Sequence, residues 1–122
     1  MKLFLLIGMV NGFLAVALGA FGAHGLEGKI SQKALNTWEK AVNYQMFHTT
    51  ALLVTGLLAE RITGASITWA GWMFFIGILL FSGSLYIYST TAIKTFAMVT
   101  PLGGVAFLIG WVLLGTAVMR FL

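Results

Sequence analysis

LFLLIGMVNGFLAVALGAFGA, residues Leu3 to Ala23, decides the fold. The stretch carries no charge and one strongly polar side chain, Asn11. It is as long as the roughly 20 apolar residues that a helix needs to cross the hydrocarbon of a bilayer. Lys2 before it and small residues near its end give it the outline of a secretory signal, but the apolar run exceeds the roughly 7–15 residues of a signal core. It therefore reads as a retained span.

Outward from this segment the rest of the chain repeats the pattern. Of 122 residues, 60% are hydrophobic and 8% charged, where a soluble domain has about 25% charged. A water-facing surface cannot be built from so few charges, whereas lipid tails ask for none. The reading is an all-α, integral membrane four-helix bundle, up-and-down, in one transmembrane domain over residues 1–122. Spans are predicted at about 3–23, 41–59, 67–88 and 101–119. Ser31 is placed as the N-cap of an interfacial amphipathic segment, 31–40, before span two. There Ala34, Leu35 and Trp38, followed by Ala41 and Val42, form an apolar stripe at helical spacing. Trp38, Trp69 and Trp72 suit headgroup depth. Pro101 fits a first helical position after a Thr100 cap, or a kink in a longer helix starting near Phe96.

The net charge of +4 comes with no basic cluster, so a nucleic-acid partner is not expected; membrane lipid is. The absence of cysteine excludes disulfides, thiolate metal sites and a cysteine nucleophile. Gly8, Gly12, Ala15, Gly19 and Gly22 share one face of span one, with Ala106 and Gly110 playing the same part in span four. Small residues let helices approach closely in lipid. The expected use is packing within the bundle, with a homo-oligomer contact as the alternative.

With Met1 on membrane face A, the up-and-down order brings the end of span one, the start of two, the end of three and the start of four toward face B. Polar residues concentrate there: His24, Tyr44, Gln45, His48, Ser84, Tyr86 and Thr100, with Ser82. Unpaired polar groups are costly in hydrocarbon and should point inward, so these are predicted to line a polar pocket open toward face B. Lys29, Lys33, Lys40 and Lys94 on face B outnumber Lys2, Arg61 and Arg120 on face A by one. The positive-inside rule then puts both termini outside the cytoplasm, in a multi-pass protein of the cell inner membrane.

On these same residues the chain resembles the YgdD/YwdK-like small bacterial membrane proteins, a domain-of-unknown-function family with relatives in eukaryotes. The matching pieces are Gly19-Ala20-Phe21-Gly22-Ala23-His24-Gly25-Leu26, then Trp38, Ala41-Val42, Tyr44-Gln45 and His48, then Gly83-Ser84-Leu85-Tyr86, and Thr100-Pro101-Leu102-Gly103-Gly104 with Gly110-Trp111. The resemblance implies a four-span inner-membrane protein and no particular activity.

The chemistry-bearing residues do not form a catalytic constellation. His24 is expected to bond free carbonyls or lipid phosphate at a helix end. His48 is expected to make an interhelical hydrogen bond, to Ser84 or Tyr86, against the alternative of a titrating or ligand-binding imidazole. Asn11 is expected to bond across helices. Gly103 and Gly104 would serve close packing or, at a helix start, offer N–H groups to an anion. No carboxylate lies inside a span to orient a His–Ser pair, so no catalytic residue, no metal and no cofactor is assigned. Three function classes remain. The first expectation is a non-enzymatic membrane assembly or stabilising module. The second is a small oligomeric transporter or channel subunit built around His48, whose small-molecule ligand is unknown. The third is a membrane enzyme acting on a lipid-like substrate.

Overall fold

The computed structural model describes residues 1–121. It is helical throughout, with no strand among the described residues. Helix α1 spans Lys2–Phe21 and continues through a π-helical turn, Gly22–Leu26. Helix α2 spans Gln32–Leu58. A third rod is made of α3 (Ala65–Gly77), a π-helical turn (Ile78–Ser82) and α4 (Gly83–Thr91). Helix α5 spans Lys94–Phe121. The α1 segment, the third rod and α5 are long and apolar enough to cross a membrane. Helix α2 is as long but more polar, because it carries Asn43, Gln45, His48, Thr49, Thr50 and Thr55.

Several boundaries differ from the sequence reading. The segment 31–40 and span two form one uninterrupted helix, since no proline or glycine occurs from Gln32 to Thr55. Ser31 does cap it, its Oγ accepting from the Ala34 N–H at 3.0 Å. The π turn carries the first span on to Leu26, past its expected end at Ala23. Pro101 lies inside α5, which begins at Lys94. The longer-helix alternative therefore holds, and Gly103 and Gly104 are mid-helix residues with no free N–H groups to offer an anion. The turn before α5 is only Ala92–Ile93, with Ala92 left-handed at φ 58°.

Helix α2 and the third rod hold the centre; α1 packs outside on α2 and α5 outside on the third rod. The packing device is a large ring seated on a glycine of the facing helix. A side chain at Gly71 would strike the Phe4 ring, one at Gly110 the Phe74 ring, and one at Gly77 the Phe107 ring. Phe74 and Phe107 thus interlock α3 and α5 reciprocally. A side chain at Gly103 would run into the Phe81 backbone itself. On α1, Gly8 faces Leu53, Gly12 faces Thr49, Gly19 faces Val42 and Gly22 faces the Trp38 ring. The small-residue face of α1 is therefore occupied by α2, with Ala15 buried in the same seam. Ala106 is buried beside Phe107 on α5.

The outside is as apolar as the inside. Phe13 is 74% exposed, Val16 71% and Met119 85%. Hydrocarbon is the solvent that suits such a surface.

Candidate functional site

The residues predicted to share one pocket are divided among three places. The first is a hydrogen-bonded chain joining α1, α2 and α4. The Asn11 amide donates to the Ile7 carbonyl (2.9 Å), Gln45 Nε2 donates to Asn11 Oδ1 (3.0 Å), and the Tyr86 hydroxyl donates to Gln45 Oε1 (2.7 Å). Gln45 and Asn11 are buried. Asn11 bonds across helices as expected. The Trp38 ring lies edge-on to Tyr86, with centroids 4.6 Å apart, and its N–H donates to the Leu18 carbonyl at 2.9 Å. Trp38 is thus an interhelical clip over Gly22, where the sequence suggested an interface anchor.

The second place joins the third rod to its neighbours. Ser84 Oγ and Thr100 Oγ1 lie 2.6 Å apart between α4 and α5, and Ser82 Oγ donates to the Ala41 carbonyl of α2 at 2.7 Å. The π turn at Ile78–Ser82 inserts extra backbone at this point. Such an insertion rotates the part of a helix beyond it and re-aims its side chains.

The third place is a groove of about 680 Å³ between α2 and α5. Its walls include Asn43, Tyr44, Phe47 and His48 on one side and Leu108 and Trp111 on the other. Tyr44 stacks on Phe81 (4.4 Å) and the His48 ring lies flat on Phe107, tilted by 9°. His48 does not reach Ser84 or Tyr86. Its Nδ1 meets the Tyr44 carbonyl at 2.8 Å, and its Nε2 meets the Trp111 indole N–H at 3.1 Å. A carbonyl can only accept and an indole N–H can only donate. The imidazole is therefore the neutral tautomer with its proton on Nδ1, and both nitrogens are engaged.

His24 joins none of these. It stands exposed on the π turn that ends the first span. The expected single polar pocket is thus replaced by closed interhelical bonds around Gln45 and Ser84 and an open groove beside His48. The cause is the register of the third rod, which turns Tyr86 toward α2 and Ser84 toward α5. Trp111 is the partner that sequence reasoning missed for His48. Its place in the quoted Gly110-Trp111 pair was the available signal. Among the described residues no His/Asp/Glu group is assembled to hold a metal ion, and one buried hydroxyl, Thr49, lacks a partner.

Fold and site together define a small helical membrane protein whose buried polar groups tie its helices to one another. The chain belongs to the family described as "Protein of unknown function (DUF423)", which matches residues 18–104. It is 52% identical over 123 residues to the UPF0382 membrane protein YwdK of Bacillus subtilis (strain 168), covering all of both chains. It is likewise 52% identical over 121 residues to the UPF0382 membrane protein SAB0533 of Staphylococcus aureus (strain bovine RF122 / ET3-1), covering 99% of this chain and 98% of the relative. A third relative, the UPF0382 membrane protein SSP2132 of Staphylococcus saprophyticus, is 49% identical over 114 residues, 93% of this chain and 94% of its own. No solved structure matches. The resemblance to YwdK-like membrane proteins therefore holds across the full length.

Proposed function

We propose that this protein is a non-enzymatic membrane module that crosses the cell inner membrane four times, α2 being the fourth span, and acts through what it binds at its lipid-facing surface. The observation that carries this reading is the state of its polar groups. Gln45, Tyr86, Ser84 and Thr100 bond one another or a neighbouring helix, and both nitrogens of His48 are engaged. A solute pathway needs polar groups free to exchange partners, and a hydrolytic site needs a base with a free lone pair. The arrangement favours neither. Helix α2 is read as a span because Gln45, His48 and Thr55, its buried polar side chains other than Thr49, are hydrogen-bonded, which lowers the cost of crossing. The excess of Lys29, Lys33, Lys40 and Lys94 at one end, by one basic residue over the other, supports a cytoplasmic location for that end with both termini outside.

The transporter or channel-subunit reading retains one supporting observation: His48 borders an open groove. The two readings separate in proteoliposomes. The module reading expects ion and small-solute flux no greater than in empty vesicles. It also expects single cysteines at positions 45 and 84 to resist hydrophilic thiol reagents. Flux that disappears in His48→Ala would overturn it. Reporter fusions at both termini check the topology.

A further inference from the structure

The groove between α2 and α5 is lined mostly by apolar side chains, and the helix faces that wall it lead on, beyond the lining itself, to exposed lysines. Its upper walls follow two lines of residues at seven-residue spacing, two helical turns each. On α2 the line is Lys33, Lys40, Phe47; on α5 it is Lys94, Pro101, Leu108. The lower members of both lines, Phe47, Pro101 and Leu108, wall the groove. The upper members are exposed lysines. His48 lies opposite Phe107 and Trp111, and the two helices run in the same direction. That register sets Lys94 level with the first turn of α2, where Lys33 stands, and Lys40 stands two turns farther along.

Just below Lys40, Asn43 and Tyr44 border the groove. No hydrogen bond within the described residues takes up the Asn43 amide or the Tyr44 hydroxyl, and both side chains are exposed. Farther in, the lining is Phe47, Phe81, Leu108 and the Trp111 ring. The sole carboxylate on α2, Glu39, borders a different cleft, toward α1.

From these placements we propose that the groove binds one anionic phospholipid. Its phosphate lies among Lys33, Lys40 and Lys94, its ester carbonyls accept from Asn43 and Tyr44, and an acyl chain lies along Phe47, Leu108 and Trp111. The order of chemistry along the groove, cationic then hydrogen-bond donating then apolar, is the order of a phospholipid from headgroup to tail. The volume falls within the roughly 300–1,000 Å³ of small-molecule sites. This goes beyond the module reading: a bundle without flux stands whether or not the groove takes a lipid, and the flux experiment does not report on it.

The test is native mass spectrometry of the full chain in non-denaturing detergent with equimolar phosphatidylglycerol and phosphatidylcholine of the same acyl chains. One retained phosphatidylglycerol per chain is expected, preferred by roughly five-fold for one engaged lysine and up to about a hundred-fold for all three, since each lysine near a membrane surface contributes about one factor of five. Equal retention of the two lipids would overturn the site. The triple variant Lys33→Gln/Lys40→Gln/Lys94→Gln should retain both lipids equally, whereas Lys29→Gln, off the groove, should keep the preference. A preference that survives the triple variant, or is lost equally in Lys29→Gln, overturns it too. Phosphatidylglycerol with brominated chains should quench tryptophan fluorescence more than the brominated choline lipid. The excess should vanish in Trp111→Phe; an excess unchanged there would place the lipid elsewhere.

Discussion

Helix α5 presents two faces that meet their neighbours in opposite ways. Toward α3 it is closed: Phe107 sits on Gly77 and Phe74 sits on Gly110, so each ring fills the space that a missing side chain leaves on the other helix. Toward α2 it is open: Val105, Leu108 and Trp111 face Tyr44, Phe47 and His48, and a groove of about 680 Å³ remains. Both faces are aromatic. The difference lies in the glycines, which α3 supplies opposite α5 and the groove face of α2 does not. In lipid, where tails are as apolar as side chains, close backbone approach is the main source of helix association. A face with rings but no glycine to receive them stays apart and leaves a surface for something else to fill.

The largest effect that would break this contrast comes from Gly103. A side chain there meets the Phe81 backbone, which cannot step aside as a rotamer can. Gly103→Val is expected to cost at least ~3 kcal/mol or to prevent assembly, read as loss of reversible unfolding in mixed micelles. Next in size is Phe74→Ala, which empties a fully buried ring site and should cost about 3 kcal/mol. The comparison substitution on the open face, Leu108→Ala, should change stability by less than ~0.5 kcal/mol. Leu108 is 67% exposed, so equal costs at the two positions would mean that the groove is closed in the folded protein.

The polar clips fall below the ring-on-glycine contacts. Gln45→Ala leaves Asn11 Oδ1 and the Tyr86 hydroxyl without their partner. Hydrogen bonds between membrane helices are worth about 1–2 kcal/mol at most, and a loss of that size in the same unfolding experiment is expected. A double-mutant cycle with Tyr86→Phe should show coupling; additive losses would remove Gln45 from the chain of bonds.

Much of this was legible in the amino-acid order. The apolar runs marked three of the rods, and Ser31 marked the start of α2 through its capping chemistry. The stripe Gly8, Gly12, Ala15, Gly19, Gly22 was readable as a packing face because glycine spacing on one helix is a local property. Its occupant was not, because contact with Leu53, Val42 and Trp38 depends on how α2 returns. The polar half of the bundle was visible as a set of residues but not as a set of pairs. A π turn at Ile78–Ser82 shifts which way Ser84 and Tyr86 point, and nothing in ILLFS announces the extra residue per turn. His48 was therefore matched to the wrong rod: its partner Trp111 lies on α5, reached across the open face.

The one gain in stability expected is also the sharpest test, because it concerns the very next residue to Gly103. Gly104 borders the groove, and a side chain there would meet only the edge of the Phe81 ring at 4.0 Å, an ordinary contact distance. Both glycines sit inside α5, where glycine is less favourable than alanine by roughly 0.5–1 kcal/mol because it has more backbone freedom to lose. At Gly103 that gain is overwhelmed by the collision with the backbone of the third rod. At Gly104 nothing opposes it. Gly104→Ala is accordingly expected to leave the fold intact and raise stability by up to ~1 kcal/mol, measured beside Gly103→Ala, which should lower it. If both substitutions destabilise to the same extent, α2 and α5 approach each other at Gly104 as closely as α5 and the third rod do at Gly103. The open face would then be a second closed one, with no room for a ligand.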